Sequence, residues 1–123
     1  MENLIINKTI NTPEVFFDID KKTLSLCGNS LPENPADFYM VIDDYINIYS
    51  QQYHYDKLNI ILDITYMNTS SGKRIFSLIK KCVEKFNIIN ITWIYDSNDE
   101  DMYEQGKDFE HTLGINFDFQ IKL

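Results

Sequence analysis

Cysteine, proline, glycine and tryptophan are all scarce, at two, three, four and one in 123 residues. Cys27 and Cys82 lie too far apart in sequence for a CxxC redox or zinc motif, and both read as buried small apolar residues. No stretch approaches the roughly 18 consecutive apolar residues of a membrane span. The N-terminus lacks the basic start and long apolar region of a signal peptide. The chain therefore reads as cytoplasmic, with no membrane as partner. Cations are also few: 11 Lys and Arg against 19 Asp and Glu give a net charge of -8, which repels a phosphate backbone and argues against nucleic acid.

The familiar enzyme signatures are missing too. GxGxxG, GxxxxGK[ST], GxSxG and HExxH do not occur. The two histidines, His54 and His111, fall on a loop and near a helix end, without a nucleophile or carboxylate in register, so neither is read as catalytic. What is present is an ordinary globular balance, 44% hydrophobic and 24% charged. That is enough to build one core without disulfides, metal or cofactor. The length fits one domain over residues 1–123, with residues 1–12 loose or lying at an edge.

Residues 15–20 and 23–27 are β-prone runs joined by Asp20-Lys21-Lys22, an opening hairpin. Residues 28–35, with Gly28, Pro32 and Pro35, read as a loop. A helix begins at Pro35 with Asn34 as cap and Asp37 in its first turn, and Phe38, Val41, Ile42, Tyr45 and Tyr49 form its apolar face. Residues 58–64 form a near-continuous apolar run, expected of a central strand buried on both faces. A second helix carries Ile75, Leu78, Ile79, Cys82, Val83 and Phe86 on one face and Lys73, Arg74, Lys80, Lys81 and Lys85 off it, the one basic element of an acidic chain. Residues 88–95 read as a strand, Asp99-Glu100-Asp101 as the acidic start of a third helix ending before Gly114, and residues 115–121 as a last strand. This order predicts an α/β fold: a mixed five-stranded sheet with flanking helices.

Between the central strand and the second helix stand Asn68, Thr69, Ser70 and Ser71. Capping needs one or two such side chains, and four in succession suggest a second use. A turn at the carboxyl end of a parallel strand, running into a helix N-terminus, is where α/β folds place anions and chemistry. A phosphate on a hydroxyl there adds about -1.5 to -2 charges beside free backbone N–H groups, Lys73 and Arg74. The acidic group Asp96, Asp99, Glu100, Asp101, Glu104 and Asp108 lacks calcium-loop spacing and reads as a solvated face.

Thr12-Pro13, the Gly28-Asn29-Ser30-Leu31-Pro32-Glu33-Asn34 loop, the Tyr66-Met67-Asn68-Thr69-Ser70-Ser71 turn, Trp93-Ile94-Tyr95-Asp96 and Asp99-Glu100-Asp101-Met102 together resemble, in this order, the SiaC family of bacterial regulatory phosphoproteins. The resemblance runs from Thr12 to Phe119. It implies a fold similar to the STAS domains of anti-sigma factor antagonists and a non-catalytic role in partner switching. It further implies a dedicated kinase acting on Thr69, a PP2C-like phosphatase reversing it, and an unphosphorylated form that in one branch activates a diguanylate cyclase, promoting cyclic di-GMP synthesis and biofilm formation. Ser70 and Ser71 stay open as alternative acceptors. The partner-binding residues expected on this reading are Asn68, Thr69, Ser70, Ser71, Lys73 and Arg74, with Ser30, Pro32, Glu33 and Asn34 shaping the same surface. Lys107, following Gly106, departs from the acidic residue typical of the family. Two other readings compete: a constitutive acidic docking domain without a switch, and a small enzyme using Asp63, Asp96 and Asp99.

Overall fold

Leu4–Ile6 (β1), Glu14–Asp18 (β2) and Thr23–Ser30 (β3) pair antiparallel in turn, so the expected hairpin is present and the first residues supply one more strand at its edge. The computed structural model describes residues 1–53 and 56–122; the loop reading of His54 lies outside the described residues. Pro35–Gln52 (α1), Lys57–Met67 (β4), Thr69–Lys85 (α2), Ile88–Asp96 (β5), Glu100–Leu113 (α3) and Asp118–Lys122 (β6) follow. The sheet is mixed but has six strands, in the order β1-β2-β3-β4-β5-β6, and β3 through β6 are parallel neighbours. The sixth strand escapes sequence reading because three residues, Leu4–Ile6, are too short for a visible alternation.

Right-handed crossovers between parallel strands taken in this order bring every helix to one face of the sheet, and the burial agrees. Val15 and Phe17 on β2, Leu24 and Leu26 on β3, Leu58, Ile60 and Leu62 on β4, and Ile91 and Trp93 on β5 point to the helix side and are buried. The alternate residues of β4, Asn59, Ile61 and Asp63, are only half-buried. The central strand is thus buried on one face and not two; Asn59 and Asp63 interrupt its apolar run because they point to the uncovered side.

Four further expectations shift. Gly28, Asn29 and Ser30 belong to β3 and not to the following loop, because the parallel partner β4 runs on through Met67 and a bulge between Gly28 and Asn29 keeps the pairing in step. Gly28 sits at φ +123, a conformation open to glycine. On α1 the buried face is Tyr39, Ile42, Ile46 and Tyr49, while Val41 is 50% exposed; the helix is rotated so that Tyr39 reaches β3. Cys27 is exposed on the open face, its thiol pushed up by partial desolvation and by Asp63, whereas Cys82 is buried and pushed up to about 12 by loss of solvent. Last, β6 begins at Asp118, later than the expected residue 115, because Gly114 closes α3 in the left-handed region and Phe117 N–H donates to Glu110 Oε2 at 2.8 Å.

Candidate functional site

The carboxyl ends of β3 and β4 lie side by side, and their exits meet. Ser30 pairs in register with Met67, and Asn68 N–H donates to Ser30 O at 3.2 Å. The loop at residues 31–34, which leaves β3 after Ser30, and the turn at residues 68–71, distant in sequence, are therefore neighbours at one end of the sheet. Ser30 is fully buried, with its Oγ 2.6 Å from Tyr39 Oη, and Pro32 is buried as well. These two support the surface from beneath. Glu33 and Asn34 are exposed, and Asn34 caps α1 by accepting from Asp37 N–H at 3.2 Å.

Of the four small polar residues in the turn, one is the cap. Asn68 Oδ1 accepts from Ser71 N–H at 2.9 Å, and Asn68 O accepts from Gly72 N–H at 2.9 Å. Asn68→Ala is expected to lower stability by about 1 kcal/mol, read as a fall in the midpoint of chemical denaturation; an unchanged midpoint would mean that the cap contributes nothing. The remaining hydroxyls then separate by direction. Thr69 is the first residue of α2 and is exposed, Ser70 is exposed, and Ser71 is fully buried with no partner for its Oγ among the described residues.

Thr69 stands on the rim of a cleft of about 570 Å³ between the start of α2 and α3, lined also by Tyr66, Met67, Lys73, Phe76, Gln105 and Phe109. Phe76 and Phe109 meet edge to face at 5.2 Å, and Phe109 meets Trp93 in the same manner at 5.3 Å. The floor is therefore aromatic and continuous with the core. Ser70 lines a smaller hollow of about 350 Å³ with Pro35, Lys73, Arg74 and Ser77. Lys73 borders both. Among the described residues neither Lys73 nor Arg74 is ion-paired, while Lys81 on the same helix holds Asp43 at 3.1 Å. Two free cations thus stand within a turn of the hydroxyls, at the positive end of α2.

The three carboxylates proposed for an enzyme do not line one cavity. Asp63 lies on the open sheet face, bound to Lys122 at 2.7 Å. Asp99 is occupied as the cap of α3, accepting from Met102 N–H at 3.0 Å, and Asp96 accepts from Asn98 N–H at 3.0 Å. Asp96 and Asp99 share a cavity of about 460 Å³ that Asp63 does not line. Among the described residues no group of three or more His, Cys, Asp or Glu is placed to hold a metal ion. No described helix is long and apolar enough to cross a membrane.

Residues 6–122 match the sequence profile of the SiaC family of regulatory phosphoproteins. The chain belongs to the SiaC family. A protein of Pseudomonas aeruginosa strain UCBPP-PA14 is 27% identical over 123 residues, covering 98% of this chain and 97% of that one. Among solved structures, apo-SiaC of Pseudomonas aeruginosa superposes with a TM-score of 0.83 at 26% identity, covering 98% of this chain and 99% of that one. SiaC in the crystal structure of the diguanylate cyclase SiaD in complex with its activator SiaC, also from Pseudomonas aeruginosa, shares the fold with a TM-score of 0.85 at 24% identity, covering 97% of this chain and 99% of that one. Of the nine residues that line the cleft, Asn68, Thr69 and Lys73 were expected at the site, and Tyr66, Met67, Gly72, Phe76, Gln105 and Phe109 were not. Phe76 carried a signal, since it is the one large apolar residue of α2 lying outside that helix's predicted stripe.

Proposed function

We propose that this SiaC-family protein is a non-catalytic switch whose partner binding is set by reversible phosphorylation of Thr69, placed there by a dedicated kinase and removed by a PP2C-like phosphatase, and that its unphosphorylated form activates a diguanylate cyclase. The observation that carries the reading is the position of Thr69: exposed, at the first position of α2, on the rim of the aromatic-floored cleft and within a turn of the unpaired Lys73. Burial of Ser71 disfavours it as an acceptor, since a kinase must reach the hydroxyl. SiaC of Pseudomonas aeruginosa is the activator of the diguanylate cyclase SiaD, which supports a cyclase as output.

Bare, the rim offers a hydroxyl and an apolar floor that a partner side chain can bury. Phosphorylated, it holds about two negative charges, and covering them with a partner surface that lacks cations costs several kcal/mol of desolvation. One group thereby selects between partners. Intact-mass and peptide mass spectrometry on protein from its native cells, with and without phosphatase treatment, is the test. A single phosphate on Thr69 that vanishes in Thr69→Ala is expected. A phosphate found only on Ser70, or none under any growth condition, overturns the assignment, and the second outcome favours a constitutive docking domain.

A further inference from the structure

The two edges of the sheet differ in kind. β1 is three residues long, Leu4–Ile6, too short to template another strand. β6 is longer, Asp118-Phe119-Gln120-Ile121-Lys122, with every residue but Phe119 exposed, and its far side has no partner strand among the described residues. Ile121 is 52% exposed on the helix side of the sheet, opposite Tyr95. An open edge with an exposed β-branched residue is a pairing surface unless something covers it.

We propose that β6 pairs antiparallel with β6 of a second copy of this chain, about a two-fold axis through Gln120, to give a continuous sheet across the dimer. The register follows from hydrogen-bonding parity. Alternate residues of an edge strand turn both N–H and C=O outward, so two identical antiparallel strands can pair only with the axis on a residue, never between two. Centred on Gln120, the pairing sets Asp118 opposite Lys122 of the second copy, twice, and Phe119 opposite Ile121, twice. Centred on Phe119 or Ile121, it opposes neither pair of charges. Opposite-charge and aromatic-to-β-branched pairs are the cross-strand combinations that stabilise a ladder, and like charges facing each other destabilise it.

The side chains are already placed for it. Lys122 is held on the open face by Asp63 at 2.7 Å, and Asp118 on that same face accepts from Gln120 Nε2 at 2.9 Å. Phe119 and Ile121 lie on the other face, where Lys107 Nζ sits 4.6 Å from the Phe119 ring centroid. The pairing covers Ile121 with a second copy's Phe119. Charged residues on an edge commonly repel all comers; here the two charges are opposite in sign and symmetric about Gln120, so they exclude other strands and admit this one. The seam lies two strands from β4, leaving both Thr69 turns free, and the proposal stands whether or not Thr69 is the switch.

A single strand pair with flanking side chains falls at the small end of specific interfaces, and each copy carries a net charge of -8, so the association is weak, with a dissociation constant on the order of 1–100 µM. Sedimentation equilibrium of the full chain, at physiological ionic strength and up to about 1 mM, is expected to show a species of twice the 14.6 kDa chain mass. Asp118→Lys and Lys122→Glu are each expected to weaken self-association at least about tenfold. Mixed, they restore it, because each Lys of one then faces a carboxylate of the other. Circular dichroism of both variants confirms that the fold is kept. A wild-type chain that stays monomeric throughout, a dimer that both variants leave intact, or a mixture that does not associate overturns the proposal.

Discussion

Thr69→Glu is expected to make the protein more stable and, at the same time, worse at binding the partner of its unphosphorylated form. The two effects come from one position. Thr69 is the first residue of α2, whose first turn contains no acidic residue. A carboxylate there meets the positive end of the helix dipole and the nearby Lys73 and Arg74, which contributes about 0.3–1 kcal/mol of stability. On the rim of the cleft the same carboxylate must lose water when a partner covers it, and the affinity is expected to fall by about tenfold to a hundredfold, that is about 1.4–2.7 kcal/mol. Thr69→Ala is expected to retain the affinity of the unphosphorylated chain and to lose its response to the kinase. Thermal unfolding paired with calorimetric titration against the cyclase separates the outcomes. Equal binding by the Ala and Glu variants would sink the switch, and a loss of binding accompanied by a loss of stability would mean that the substitution had damaged the turn.

Gly106→Ala is expected to be the most damaging single methyl group that can be added to α3. A Cβ at Gly106 falls 2.7 Å from Trp93 Cε2 and Nε1 and 2.8 Å from Phe119 Cε1. Rings anchored in the core do not yield as a flexible chain end would. Overpacking of this kind costs about 1–3 kcal/mol, outweighing the roughly 1 kcal/mol that alanine gains over glycine as a helix former. The indole is also held by its Nε1–H donating to Met102 O at 3.1 Å, one turn earlier on the same helix, so pushing α3 outward strains that bond too. Trp93 is the sole tryptophan, and its fluorescence should shift to the red as the melting temperature drops by several degrees. An unchanged or raised melting temperature would show that α3 can lift off the sheet at no cost.

The contrast between these two residues shows where the sequence was readable. The turn stood out because four small polar side chains in a row exceed what a cap requires, though only the family resemblance singled out Thr69 within it, and the structure accounts for each in turn: Asn68 caps, Ser71 is buried, Thr69 and Ser70 remain outside. Helices were legible from their ends: Asn34 caps α1 and Gly114 closes α3 as read, one of the four small polar residues, Asn68, caps α2, and Asp99, read as the first turn of α3, is its cap. Gly106 gave no such sign. Its role comes from the register of β5 and β6, which sets Trp93 beside Phe119 directly beneath it, and no local pattern records which rings a helix will meet. The cleft lining was hidden for the same reason: Phe76 and Phe109 lie on different helices and touch only after the sheet has fixed both. The misread faces of β4 trace to a shared ambiguity, since a run such as Leu58-Asn59-Ile60-Ile61-Leu62-Asp63-Ile64 is apolar enough for two covered faces and alternates just enough for one.

Strand order has a kinetic side. Among the described residues each strand pairs only with the strand before it and the strand after it in the chain, so no pairing has to wait for distant ends to find each other. The entropy of closing large loops is then spent in small instalments, and topologies of this kind fold faster than sheets whose strands are shuffled. A chain emerging from the ribosome lays down the β1–β2–β3 antiparallel ribbon first and then adds one helix and one strand at a time, each new strand covering the raw edge left by the last. Of the six strands β6 pairs last, against an edge that β5 has already set.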